Sequence, residues 1–120
     1  MVKKVIIADD MREARILLCA MVENYVPDAS IDSVDNGKTL VQKVKEGDYD
    51  LILTDYHMGQ GMDGIEAIKA IREFNKKAPI YMISGSSKLE EALKAGATGY
   101  LEKPFKSKEI QEITSKHLSQ

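Results

Sequence analysis

Three unbroken apolar runs are the tightest constraint on this fold. They are Val5-Ile6-Ile7-Ala8, Leu51-Ile52-Leu53-Thr54 and Ile80-Tyr81-Met82-Ile83-Ser84. A strand with one face in water alternates apolar and polar residues. A run without alternation needs cover on both faces. That condition holds inside a parallel sheet with helices on either side. Ser30-Ile31-Asp32-Ser33-Val34 is mixed and suits one edge, and Gly99-Tyr100-Leu101 suits the other.

Helix-period segments fill the gaps between the runs. Ala14, Leu17, Leu18, Met21, Val22 and Tyr25 form one stripe. Leu40, Val41 and Val44 follow Asn36-Gly37, and Ile65, Ile68 and Ile71 form a third. Leu89, Ala92 and Leu93 form a fourth, then Ile110 and Ile113 a fifth. Gly47 and Gly96 stand where C-terminal caps belong. The spacing predicts five strands alternating with five helices: an α/β fold, a single five-stranded parallel sheet with helices on both faces.

At 120 residues the chain is expected to be one domain over residues 1–120. A chain this long buries roughly two thirds of its unfolded surface. A net charge of −2 gives no global attraction to nucleic acid or to an anionic membrane. No apolar run approaches the ~18 residues of a membrane span. The N-terminal run ends in two acids, unlike a signal peptide. The single Cys19 excludes an internal disulfide and suits a reducing compartment, so the expected location is cytoplasmic.

In an open parallel sheet, ligands bind outside the carboxyl ends of the strands. The first strand ends in Asp9-Asp10, the third in Asp55, the fourth in Ser84-Gly85 and the fifth in Glu102-Lys103-Pro104. Asp9, Asp10 and Asp55 on one rim repel each other unless a cation joins them. Oxygen ligands with no nearby Cys favour a hard ion, Mg²⁺ above all. Lys103 adds a point charge suited to phosphate. A carboxylate is also a nucleophile once metal and lysine neutralise an incoming phosphoryl group. The set fits phosphoryl transfer to an aspartate.

The ordered motifs resemble the receiver domain of two-component response regulators, of the chemotaxis type. Asp9-Asp10, Asp55, Ser84 and Lys103-Pro104-Phe105 carry the resemblance, with Met62-Asp63-Gly64 and Arg15. The resemblance covers the whole chain. It implies strand order 2-1-3-4-5 and a cis bond at Lys103–Pro104. It implies Asp55 as phospho-acceptor and Mg²⁺ held by Asp9, Asp10, Asp55 and the His57 backbone carbonyl. Ser84 and Tyr100 would be the switch pair, Lys103 the phosphate-binding lysine. His57 and Ser86 would tune loss of the phosphoryl group. The implied partners are a sensor histidine kinase or a His-containing phosphotransfer protein, and a downstream protein target. That target would meet the fourth helix, fifth strand and fifth helix. The chain ends after the fifth helix, so output is expected through protein contacts, with no direct nucleic acid and no membrane insertion.

Simpler readings stand beside these. Asp10-Met11-Arg12-Glu13 is also a capping-box pattern, and Asp63 reads as a helix cap. His57 could ligate a transition metal, but no second His or Cys lies near it in sequence. His117 continues an apolar stripe and reads as packed, and Cys19 reads as inert. Alternative functions are a phosphorelay intermediate passing the group to another His protein, or a Mg²⁺-dependent aspartyl-phosphate phosphatase. The phosphatase would want a second acid two residues after the nucleophile, where His57 stands. No phosphate-binding glycine motif follows the first strand, which argues against a nucleotide or flavin site. The chain also departs from the family twice. Gly59 replaces the usual proline in a loop one residue longer, and the Ser84–Lys103 segment is shorter by roughly one helical turn.

Overall fold

The computed structural model describes residues 2–119. Five strands and five helices alternate as the periodicity predicts. They are β1 (Lys4–Ala8), α1 (Arg12–Tyr25), β2 (Ser30–Val34), α2 (Gly37–Glu46), β3 (Leu51–Asp55), α3 (Gly64–Arg72), β4 (Ile80–Ser84), α4 (Leu89–Ala95), β5 (Gly99–Glu102) and α5 (Ser107–Leu118). All strand pairs are parallel and the order is β2-β1-β3-β4-β5.

Strand alternation explains the two layers. Along β1, Ile6 and Ala8 join one core while Val5 and Ile7 join the other. The first core takes Leu40 and Val44 from α2, Ile68 and Ile71 from α3, and Ala92 and Ala95 from α4. The second takes Leu18 and Val22 from α1, and Ile110, Ile113 and Leu118 from α5. β1, β3 and β4 are therefore covered twice, and Val5, Ile6, Ile7, Leu51, Ile52 and Ile80 are fully buried. At ~25 cal/mol per Å² of apolar surface, such side chains dominate the driving force for folding.

Several local expectations change in the folded chain. Asp10 does not cap α1. The N-cap is Met11, no side chain caps this helix, and Asp10 is exposed. Asp9 takes the Met11 amide instead, because it follows the strand directly and points inward. Asp63 does cap α3: its carboxylate accepts the Glu66 amide at 2.8 Å and Glu66 returns the bond to the Asp63 amide at 3.0 Å. Leu17 is 53% exposed, and Leu89 and Leu93 are 51% and 46% exposed. The seven-residue α4 seats itself through Ala92 and Ala95, whose small side chains leave both leucines on its flank. Gly96 ends α4 in a left-handed conformation, whereas Gly47 ends α2 in extended backbone. The Lys103–Pro104 bond is cis. No helix among the described residues is long and apolar enough to cross a membrane.

Candidate functional site: a carboxylate rim at the strand ends

Parallel pairing sets the strand ends side by side. Asp55 pairs with Ile83 and Ala8 with Thr54, so Asp9, Asp55 and Ser84 emerge along one rim. Asp9 is 1% exposed, Asp55 7% and Ser84 fully buried, while Asp10 faces solvent. One carboxylate oxygen from each of Asp9, Asp10 and Asp55 lies within 4.8 Å of the others. Lys103 Nζ stands 3.4 Å from Asp55 Oδ2 and 3.6 Å from Asp9 Oδ2. The fifth strand thus delivers one ammonium between two nearly buried carboxylates.

Backbone bonds aim these groups. Asp55 Oδ1 accepts the Tyr56 amide at 2.8 Å, which leaves Oδ2 facing Lys103. Asp9 Oδ1 accepts the Met11 amide at 2.9 Å, which leaves its Oδ2 for the rim. Burial pushes the Asp9 carboxyl above its ordinary value. The Met11 amide opposes that rise, Asp55 adds to it, Lys103 opposes it and Asp10 adds further. Burial and like charge therefore outweigh the one lysine. A hard divalent cation among three oxygen donors offsets that excess negative charge, so the residues present fit Mg²⁺.

The β4–α4 loop closes the other side. Ser84 Oγ accepts the Ser86 amide at 3.1 Å, and Ser86 Oγ meets His57 Nε2 at 3.3 Å. The Tyr100 hydroxyl donates to the Ser86 carbonyl and accepts the Lys88 amide at 3.3 Å. Tyr100 therefore points inward, under the start of α4. Two residues here escaped sequence reasoning. Tyr56 packs edge-on against His57 at 4.8 Å, and Lys88 Nζ lies 5.1 Å from the Tyr56 ring centre. Their only signal was adjacency, Tyr56 to Asp55 and Lys88 to the Ser84–Ser86 stretch.

The lip over the rim is the β3–α3 loop. Met58 is buried and anchors it. Gly59 and Gly61 have φ of 69° and 94°, a region that favours glycine. A Cβ at Gly59 would stand 3.7 Å from Asp10 Oδ2, so the loop passes directly over that acid. Away from the rim, His117 is half-buried as the stripe predicts, with Nε2 2.7 Å from the Tyr81 hydroxyl. Cys19 is half-buried, and burial raises its thiol.

Comparison with known proteins agrees with this fold. The response regulator receiver domain family matches residues 5–115. Chemotaxis protein CheY-3 of Vibrio cholerae is 36% identical over 121 residues, covering 94% of this chain and 89% of that protein. The chemotaxis response regulator CheY4 of Vibrio cholerae superposes with a TM-score of 0.86 at 26% identity, covering 98% of this chain and 100% of that one. The receiver domain of a sensor histidine kinase from Pseudomonas aeruginosa PAO1, solved with magnesium in its active-site cleft, gives 0.86 at 25% identity, covering 98% of each chain. With the family matched over residues 5–115 and a chemotaxis relative 36% identical across 94% of this sequence, the chain belongs to the response regulator receiver domains.

Proposed function

We propose that this receiver accepts a phosphoryl group on Asp55 from a phosphohistidine, carried by a sensor histidine kinase or a His-containing phosphotransfer protein. An Asp55 carboxylate oxygen attacks phosphorus as the P–N bond breaks, and the donor imidazole leaves with the electron pair. The observation that carries this reading is the rim itself: three carboxylates within 4.8 Å and one ammonium spanning two of them. Asp9, Asp10, Asp55 and the His57 carbonyl would hold Mg²⁺. Bound there, the ion would neutralise the acids and the charge developing on the transferring group. Lys103 then holds phosphoryl oxygens, a role its two present carboxylate contacts support.

Ser84 and Tyr100 carry the response outward. The Ser84 hydroxyl turns towards the phosphoryl group and gives up the Ser86 amide. Tyr100, bonded to that same loop, follows. The population of a second arrangement of α4, β5 and α5 rises, and a downstream protein target reads it. The exposed Leu89 and Leu93 belong to that surface. The kinase, the target and a cytoplasmic setting complete the reading.

Incubation with Mg²⁺ and acetyl phosphate tests it. The expected product is one hydroxylamine-labile phosphate per chain, absent from Asp55→Asn. A stable absence of Asp55-dependent label would sink the reading. Continuous turnover of free phosphate monoesters would favour a phosphatase.

A further inference from the structure

Arg15 belongs to no step above, although it lies in the second turn of α1 beside the rim. Its guanidinium donates from NH1 to the Asp9 backbone carbonyl at 2.7 Å. That carbonyl lies one residue beyond the β1–β2 ladder, whose register stops at Ala8 and Val34. The Asp9 amide still reaches the Val34 carbonyl at 3.1 Å. The ladder thus takes the Asp9 amide, the helix takes its carboxylate through Met11, and Arg15 takes its carbonyl. All three hydrogen-bonding groups of this one residue are fixed.

The need for such a tie follows from two facts. Successive residues of an extended chain point to opposite sides. Asp9 is buried and Asp10 exposed accordingly, yet both place an oxygen within 4.8 Å of Asp55. The β1–α1 turn must therefore hold one conformation. The N-cap residue of α1, Met11, offers no side-chain bond, so the turn is held through Asp9 itself. We infer that Arg15 is a positioning residue that locks this turn and keeps the Asp9–Asp10 pair in its metal-ready arrangement. It acts as a hydrogen-bond donor to a carbonyl, so a donor at this position matters more than the net charge of α1. The inference rests on the reading of the three acids as a Mg²⁺ site.

The test compares Arg15→Met, Arg15→Lys and Arg12→Met in the full chain. Methionine keeps the apolar stem and loses the donor, lysine keeps a donor, and Arg12 is an exposed neighbour carrying the same charge. Calorimetric titration with Mg²⁺ should show affinity roughly tenfold weaker in Arg15→Met. Arg15→Lys should regain most of it, and Arg12→Met should match wild type. In metal-free protein, amide exchange at Met11 should be about tenfold faster in Arg15→Met and unchanged in Arg12→Met. Wild-type affinity and wild-type Met11 exchange in Arg15→Met would overturn the inference. So would equal losses in Arg15→Met and Arg12→Met, which mark a charge effect. If the wild-type protein binds no Mg²⁺, the reading of the site fails, and Met11 exchange alone decides for or against Arg15.

Discussion

The two segments that flank the Asp55 carboxylate are built on opposite plans. The β1–α1 turn is short, and Asp9 alone engages the sheet, the helix and Arg15. The β3–α3 loop is longer, and its contacts with the core lie towards its two ends, with Met62 packed there just before α3. Met58 is buried near its start, and Gly64 donates to the Tyr56 carbonyl at 2.9 Å at its close. Between them, Gly59 and Gly61 hold left-handed conformations. The difference separates two demands on one rim. Acids that must converge need a rigid turn, whereas a lip over which a phosphodonor would pass, on the proposed function, needs compliance.

Breaking the anchored end of the loop should cost most. A Cβ at Gly64 would lie 2.2 Å from the Asp55 carbonyl oxygen, with backbone that cannot step aside. Gly64→Ala should lose about 3 kcal/mol in urea unfolding. A loss no larger than that of Gly61→Ala would remove the contrast between loop end and loop centre.

Lys103 joins the two segments, standing between Asp9 and Asp55. Lys103→Met should slow phosphorylation of Asp55 by acetyl phosphate roughly 100-fold, as for removal of one charge-stabilising group. A loss under threefold would leave Lys103 a structural tie only.

His57 and Ser86 meet across the mouth, where the pair would limit access of water to a phosphoryl group on Asp55. His57→Ala with Ser86→Ala should speed loss of the phosphoryl group by up to about tenfold, the reach of one net hydrogen bond. An unchanged lifetime would refute a role for this pair.

The centre of the loop should tolerate change best. Nothing lies within 4 Å of a Cβ at Gly61, so Gly61→Ala meets only left-handed strain, about 1 kcal/mol. Urea midpoints compare it directly with Gly64→Ala.

The smallest effect lies far from the rim, at His117. Burial, then Lys116, lowers its pKa below 6.5. The unfolded chain then takes up the proton first as pH falls. The contribution of His117 is full above pH 6.5 and declines as pH drops towards the folded value. Wild type should lose more stability than His117→Gln between pH 7.5 and 5.5; equal losses would place the titration elsewhere.

Sequence patterning gave the elements because their signals are local. Unbroken runs such as Val5–Ala8 specify two-sided burial, and the site acids follow because each ends such a run. The Asp63–Glu66 capping box was legible for the same reason: both bonds stay within three residues. The capping pattern at Asp10, the simpler reading beside its metal role, is not realised because its competitor, Asp9, wins only once β1 fixes which acid points inward. Leu89 and Leu93 fit a helical stripe, but a stripe does not say which flank packs, and Ala92 and Ala95 took the sheet.

By itself, then, the sequence determined a parallel α/β layering and the identity of the acids at the strand ends, since burial on two faces and termination by a charge are both written residue by residue. Strand order came from resemblance, not from periodicity. Tertiary structure alone decided that three carboxylate oxygens lie within 4.8 Å, that Lys103 spans two of them, and that Arg15 holds the Asp9 carbonyl. Asp9, Asp55 and Lys103 lie more than forty residues apart in turn, and only the register of parallel strands fixes distances on that scale.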